Sequence, residues 1–269
     1  EIYTLSLHDA LPIYYRCRTG VPENPQCLHT AFLKRAEEFP QKAALEDTGY
    51  GKIITYRELK KRAQAVAEHL AAEGIQKEPV AITLPRGHEQ IVAALGILMS
   101  GNLYLPASLS QPEKRRKLIH EKTGVKYVIT NEDCEKKITW PEGTRRLILE
   151  EMKECVSEVE LPEVMPEDSA YIIMTSGSTG IPKGVEIAHA SAWNTIDDIN
   201  KKYQVSKEDA ALAVSAMDFD LSVYDLFGVL GAGGTLVLLP EEEKRNADYW
   251  LEQVDNRSEE RRVGKECRS

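Results

Sequence analysis

Hydrophobic positions along this chain fall into two patterns that take turns. Short continuous apolar runs alternate with longer stretches whose apolar residues recur at helical spacing. Residues 28–39 read as a short amphipathic helix stopped by Pro40. Residues 53–56 read as a strand, followed by a helix from Arg57 that sets Leu59, Ala63, Val66, Ala67 and Leu70 on one face. Gly74 stands where that helix needs its C-terminal stop. The alternation continues with a strand at 80–84, a helix at 89–99 followed by Gly101, and the segment Tyr104-Leu105-Pro106. A helix at 112–122 and a strand at 126–130 come next. Strands apolar on both faces and separated by helices predict an α/β fold, a mainly parallel sheet covered by helices. Residues 140–166 are rich in Glu and Pro around one apolar patch, Leu147-Ile148-Leu149, and predict a surface crossing between two sheet systems. The same style then resumes: strands at 170–175, 185–187, 211–216 and 236–239, with helices at 190–203 and 222–230.

Between two of those strands lies Thr175-Ser176-Gly177-Ser178-Thr179-Gly180-Ile181-Pro182-Lys183-Gly184, with three glycines, four hydroxyl side chains, one proline and one lysine. Glycine lets the backbone turn its amide hydrogens toward one point, and converging amides make an anion-binding nest. A lysine adds a mobile point charge suited to phosphate. The run reads as a phosphate cradle. A Walker-type loop needs GxxxxGK followed by Ser or Thr. Counted from Gly177, Pro182 occupies the place of the second glycine and Gly184 the place of the hydroxyl, which excludes that class. A solvated Ser/Gly linker is the plain alternative, set aside because Pro-Lys-Gly stands between apolar strands. Ligands of open α/β sheets gather beyond the carboxyl ends of strands. Both this loop and Asp220 fall there.

Composition narrows the function. With 269 residues and 42% apolar content the chain can bury a core, and a net charge of −9 argues against nucleic-acid or membrane-surface partners. No apolar run approaches the roughly eighteen residues of a membrane span. Five cysteines without metal-like spacing predict reduced thiols and a cytoplasmic protein with no metal site of its own. Both ends look foreign to the rest. Residues 1–13 read EIYTLSLHDALPI and residues 257–269 read RSEERRVGKECRS. The first is no secretory signal, because His8 and Asp9 interrupt its apolar part and no basic region precedes it. Both resemble translated sequencing-adapter read-through. The expected organisation is therefore an interdomain linker over 14–27, with Gly20, Pro22 and Pro25, and a partial domain over 28–256.

The loop looks like the phosphate loop of the adenylate-forming superfamily, which covers acyl- and aryl-CoA ligases, luciferases and the adenylation domains of nonribosomal peptide synthetases. Thr55-Tyr56-Arg57-Glu58-Leu59 resembles the first adenylation core motif and Leu98-Met99-Ser100-Gly101-Asn102-Leu103-Tyr104-Leu105-Pro106 the second. The loop is the third, and Phe219-Asp220-Leu221-Ser222 matches the fourth. All four stand in family order. Two positions depart from the family pattern. The second motif usually continues proline-x-aspartate where this chain has Pro106-Ala107-Ser108, and Met174 stands where a tyrosine commonly precedes the third. Neither position carries the chemistry, but both loosen a subfamily assignment.

The resemblance implies the layered αβαβα N-terminal region of an adenylate-forming enzyme, incomplete here. It implies ATP-dependent activation of an amino acid as an aminoacyl-adenylate with release of pyrophosphate. The product would be loaded onto the phosphopantetheine thiol of a peptidyl carrier domain, with a condensation-type domain in the same parent chain. Two anions must meet in this reaction, so cations and amide donors have to offset the growing charge. The resemblance assigns the ATP phosphates to Thr175, Ser176, Gly177, Ser178, Thr179, Gly180 and Lys183, with Lys183 and Thr179 acting in catalysis. Mg2+ accompanies ATP, but the family's glutamate for that ion belongs to a later motif outside this sequence. In amino-acid-activating relatives the aspartate at the position of Asp220 pairs with the substrate α-ammonium, an ionic hydrogen bond of about 1.5–3 kcal/mol. The plain alternative is a carboxylate serving a helix N-terminus. Asp220, Leu221 and Tyr224 together resemble the triplet of cysteine-activating domains. The family's small C-terminal domain and its lysine are not in this sequence, so the chain as written is expected to bind ATP weakly and catalyse poorly or not at all. An acyl- or aryl-CoA ligase, or a non-catalytic nucleotide-binding fragment, remain the alternatives. His189 reads as a packing or hydrogen-bonding residue, and His88 and His120 as helix-surface residues. Lys114-Arg115-Arg116-Lys117 reads as a solvated helix face and Glu241-Glu242-Glu243 as a solvated turn.

Overall fold

The computed structural model describes residues 25–109, 111–152, 159–176 and 182–266. Chain order begins with helix α1 (Leu28–Glu38), strands β1 (Ala43–Asp47) and β2 (Lys52–Thr55), and helix α2 (Tyr56–Ala72). Then come β3 (Pro79–Ile82), α3 (His88–Met99), β4 (Leu103–Pro106), α4 (Glu113–Thr123), β5 (Tyr127–Thr130), α5 (Glu132–Lys137) and β6 (Arg145–Ile148). The rest is β7 (Ser169–Ser176), β8 (Pro182–Ala188), α6 (His189–Tyr203), β9 (Ala210–Ala213), α7 (Ser222–Ala232), β10 (Thr235–Leu238) and α8 (Ala247–Glu266).

Local chemistry sets several of these boundaries. Thr55 Oγ1 accepts the Glu58 amide at 3.2 Å while the Glu58 carboxylate accepts the Thr55 amide at 2.9 Å, a reciprocal capping box that starts α2. Gly74, with φ of +70°, turns the chain out of the same helix as its position predicted.

The strands form two sheets. One has the order β6-β5-β3-β4-β7-β8 and is parallel except for β8 at its edge; the other has the order β2-β1-β10-β9 and is parallel except for β2 at its edge. A helical layer fills the space between them. Leu28 and Phe32 of α1, Leu59 and Leu70 of α2, Leu95 of α3 and Phe227 of α7 share one buried cluster with Leu45, Tyr104, Ile173 and Leu236 from the strands. A second cluster, including Ala81, Leu105 and Ile119, lies under α4 on the outer face of the six-stranded sheet. The expected α/β layering of parallel sheets and helices is therefore present. Among the described residues no helix is long and apolar enough to cross a membrane.

The structure corrects four expectations. The segment 140–166 does not merely cross the surface, because Leu147 and Ile148 belong to β6, which extends the six-stranded sheet in parallel register with β5. Strand β1 was not foreseen, nor was the short α5, which Asn131 caps by accepting the Cys134 amide at 3.0 Å. Helix α8 runs through residues whose charged, aperiodic sequence predicted no element. His88 and His120 are 1% and 6% exposed rather than on helix surfaces, since α3 and α4 press those positions against the sheets.

Candidate nucleotide and substrate site

The phosphate-type run follows β7, the strand next to the edge of the six-stranded sheet. Strand β7 lies beside β4, with Tyr171 opposite Tyr104, and turns back into the antiparallel β8. In that hairpin Thr175 pairs with Lys183 and Ser176 with Pro182. Thr175 Oγ1 donates to the Lys183 carbonyl at 3.2 Å, closing the ladder at the point where the loop begins. Lys183 itself is exposed. Gly177, Ser178, Thr179 and Gly180 lie outside the described residues, so the hairpin places three of the seven expected phosphate ligands at one sheet end. Gly184 explains a local requirement: a Cβ there would lie 3.1 Å from Ile172 Cγ2 and 3.3 Å from Met174 Sδ.

Asp220 sits on the connection from β9 to α7, wound by successive turns. Phe219 N donates to the Ala216 carbonyl at 2.9 Å, Ser222 N to the Phe219 carbonyl at 3.0 Å and Ser222 Oγ to the Met217 carbonyl at 3.0 Å. The N-cap residue of α7 is Leu221, and no side chain caps it. Asp220 Oδ1 is buried with no hydrogen-bond partner among the described residues. A buried carboxylate oxygen left unpaired is costly unless a donor or cation meets it. Burial, with the Asp220 charge second, pushes the Tyr171 phenol upward, which puts that ring within electrostatic reach of the carboxylate. Tyr104, its ring 5.4 Å from that of Tyr171, also has a buried hydroxyl without a partner among the described residues. Two buried phenols thus lie together, one of them within electrostatic reach of the Asp220 carboxylate.

Sequence reasoning missed Tyr104 and Tyr171, which read as apolar strand residues. The only signal was a hydroxyl inside each apolar run. Leu221 is half-buried beside Asp220. Tyr224 is also half-buried, but its hydroxyl donates to Asn200 Oδ1 at 3.1 Å while Asn200 Nδ2 donates to the Gly228 carbonyl at 2.9 Å. The Tyr224 phenol is thereby engaged in packing α7 against α6.

Arg86, which follows β3, binds the far sheet from the near one. Its Nε donates to the Leu239 carbonyl at 3.0 Å and its Nη1 to the Ser215 carbonyl at 3.1 Å, and Nη2 bonds the Ala213 carbonyl. Burial raises the nearby Asp225 carboxyl above the usual range, opposed by bonds from Ser215 and by the Arg86 charge. One turn of chain later, His88 donates its amide to Asp47 Oδ2 at 2.8 Å and brings Nδ1 to the same oxygen at 2.7 Å. Burial acts to raise the Asp47 carboxyl, but the bonds from His88 outweigh it and leave it below its ordinary value. His189 plays the packing role expected of it, with Nδ1 accepting the Leu28 amide at 3.1 Å. No group of three or more potential metal ligands exists among the described residues.

The described part of the hairpin carries Thr175, Ser176 and Lys183, and Asp220 has a carboxylate oxygen buried without a partner among the described residues. Known proteins bear on this directly. A profile of the AMP-binding enzyme family matches residues 32–258, and the chain belongs to that family. Pyochelin synthetase PchE of Pseudomonas aeruginosa is 42% identical over 228 residues, which cover 84% of this chain and 15% of that synthetase. The chain therefore spans only a small part of the relative's length. Among solved structures, the nonribosomal peptide synthetase FmoA3 in its alpha-methyl-L-serine-AMP bound form aligns with a TM-score of 0.74 at 33% identity, over 82% of this chain and 24% of that one. The Klebsiella oxytoca NpsA N-terminal subdomain in complex with 3-hydroxybenzoyl-AMSN aligns with a TM-score of 0.70 at 25% identity, over 80% of this chain and 54% of that one. These likenesses make the chain an adenylate-forming domain of the peptide-synthetase adenylation type, with the fold of its N-terminal region.

Proposed function

We propose that this chain holds ATP at the β7–β8 hairpin and an amino acid at Asp220, for the formation of an aminoacyl-adenylate and pyrophosphate. Asp220 carries the reading: its Oδ1 is buried with no partner among the described residues and lies within electrostatic reach of Tyr171, a place that asks for a cation. A substrate α-ammonium supplies that charge and three donors, whereas a plain aryl or acyl acid leaves the oxygen unmet. FmoA3 is bound to alpha-methyl-L-serine-AMP and NpsA to 3-hydroxybenzoyl-AMSN, so both an amino-acyl and an aryl-acyl ligand fit this fold.

In this reading Thr175, Ser176, Gly177, Ser178, Thr179, Gly180 and Lys183 grip the phosphates. Lys183 and the loop amides offset the charge that builds as the carboxylate attacks the α-phosphate. Thr179 donates its hydroxyl to the same oxygens. Mg2+ enters with ATP. Asp220 fixes the ammonium, and Leu221 and Tyr224 wall the side-chain pocket. Their identity favours cysteine. The adenylate would pass to a phosphopantetheine thiol of a carrier domain in a larger cytoplasmic synthetase that also holds a condensation-type domain. By itself the 269-residue chain is expected to bind ATP weakly and support little exchange, since the lysine that the resemblance sets against the reacting carboxylate is not among its residues.

Amino-acid-dependent ATP–pyrophosphate exchange by the complete adenylation domain tests the assignment across the twenty amino acids. Cysteine should give the strongest signal. Asp220→Ala should lower kcat/KM for that amino acid about 10- to 100-fold, the loss of one ionic hydrogen bond. Undiminished exchange by the variant would overturn the role of Asp220. A signal for aryl acids alone would turn the substrate reading to that class.

A further inference from the structure

Away from that site, three buried polar atoms without a hydrogen-bond partner among the described residues line one small cavity. They are Thr83 Oγ1, just past β3, His120 Nδ1, in the last turn of α4, and Trp140 Nε1, on the segment after α5. Thr83 is 1% exposed and His120 6%. The cavity lies on the outer face of the six-stranded sheet under α4, and its open interior is about 10 Å³, room for a single water-sized atom.

The chemistry of the lining is one-sided. An indole N–H can only donate, a hydroxyl can donate, and a neutral imidazole can present Nδ1–H. Burial, with the Arg116 charge second, lowers the His120 pKa and so favours the neutral ring. Arg116 and Lys117 also line the space, against a single carboxylate, Glu113, which is 2.8 Å from Lys117. Arg116 Nη1 donates to the Gln111 carbonyl at 2.5 Å and so fixes its charge near the cavity. Three donors and an excess of positive charge around a one-atom space suit an anion better than a neutral molecule. Of the cluster Lys114-Arg115-Arg116-Lys117, Arg116 and Lys117 line this space.

We propose that this cavity binds a monatomic anion, chloride in the cell, which pins α4 and the 138–141 segment to the outer face of the sheet. The site is independent of the nucleotide and substrate reading. Because the ion binds the folded chain and not the unfolded one, it stabilises in proportion to the logarithm of its concentration over Kd.

The test uses the 269-residue chain in sodium chloride, bromide and gluconate at one ionic strength, gluconate being too large to enter. Thermal unfolding should shift upward with the logarithm of chloride or bromide concentration but not with gluconate. Crystals grown in bromide should show an anomalous peak between Thr83, His120 and Trp140. Trp140→Phe keeps the ring and removes the donor, and Thr83→Val keeps the shape and removes the hydroxyl; each should weaken halide affinity about tenfold or more. Equal unfolding temperatures in all three salts, or a bromide map with water alone in the cavity, would overturn the proposal. So would halide dependence unchanged in both variants. Should either variant fail to fold, the other and the bromide map decide.

Discussion

His29 and His189 meet edge to face at 5.5 Å inside the layer between the sheets. Burial lowers the pKa of His29 to about 3, with His189 as a second cause, and burial lowers that of His189 to about 4, against a smaller opposing pull from Asp168. In the unfolded chain both titrate near 6.5. Between those values the unfolded state binds more protons than the folded one, so folding stability falls as pH drops. The contribution is complete above pH 6.5 and is lost toward pH 4, at up to about 1.4 kcal/mol per pH unit for each ring. Urea unfolding at pH 7.5, 6 and 5 should show this slope. His189→Asn, which keeps an acceptor for the Leu28 amide, should flatten it, and parallel slopes for the two proteins would contradict the assignment. The packing role of His189 was legible because the residue follows an apolar strand. The burial of His88 was not, because its partner Asp47 comes from 41 positions earlier, and sequence spacing carries no record of such a pairing. Asp220 was singled out in the sequence by a motif, while Tyr104 and Tyr171 were hidden inside strands that their rings suit equally well.

At the scale of elements, α2 and α3 approach so closely that a residue without a side chain is required. A Cβ on Gly96 would lie 2.5 Å from Val66 Cβ and 2.7 Å from the Ala63 carbonyl oxygen. Gly96→Ala gains up to about 1 kcal/mol of helix propensity, but overpacking against backbone costs about 1–3 kcal/mol. A net loss of about 1–2 kcal/mol in denaturant unfolding is expected. Val66→Ala removes Cγ1, 2.6 Å from that added Cβ, and leaves the Cβ of residue 66 and the Ala63 carbonyl in place, so combined with Gly96→Ala it should relieve part of the clash and lose somewhat less than the two single losses added together, since contacting sites couple. Additive losses would show that the helices separate freely. The amphipathic helices were readable from spacing because each needs one apolar stripe. Strand β1 was not, because it is five residues long and ends in Glu46 and Asp47, and its central place rests on pairing Leu45 with Leu236. Strand β6 escaped for the same reason, since only Leu147 of its four residues is buried while Arg145 and Arg146 face solvent.

At the scale of the whole molecule, one hydrogen-bonded side chain ties the two sheets together. Arg86 makes that tie, leaving the end of β3 and closing on carbonyls of Ala213, Ser215 and Leu239 beyond β9 and β10. This arginine has no periodic signature in the sequence. Its removal has two consequences. Arg86→Met leaves three carbonyls without their donor and leaves Asp225 buried with no cation beside it, a combined cost of about 3 kcal/mol. The Asp225 carboxyl is already raised by burial, so its contribution to stability is present below its unfolded pKa and is lost as pH rises through the folded one. Losing Arg86 pushes that folded value further up. At pH 7 the damage should therefore be partly reversible by Asp225→Asn, which removes the charge that needs a partner and keeps an acceptor for the Ser215 amide. Chemical denaturation at pH 7 should rank the parent chain above the double variant, and the double variant above Arg86→Met. If the double variant is the least stable of the three, the carbonyl bonds alone hold the sheets and the buried charge plays no part.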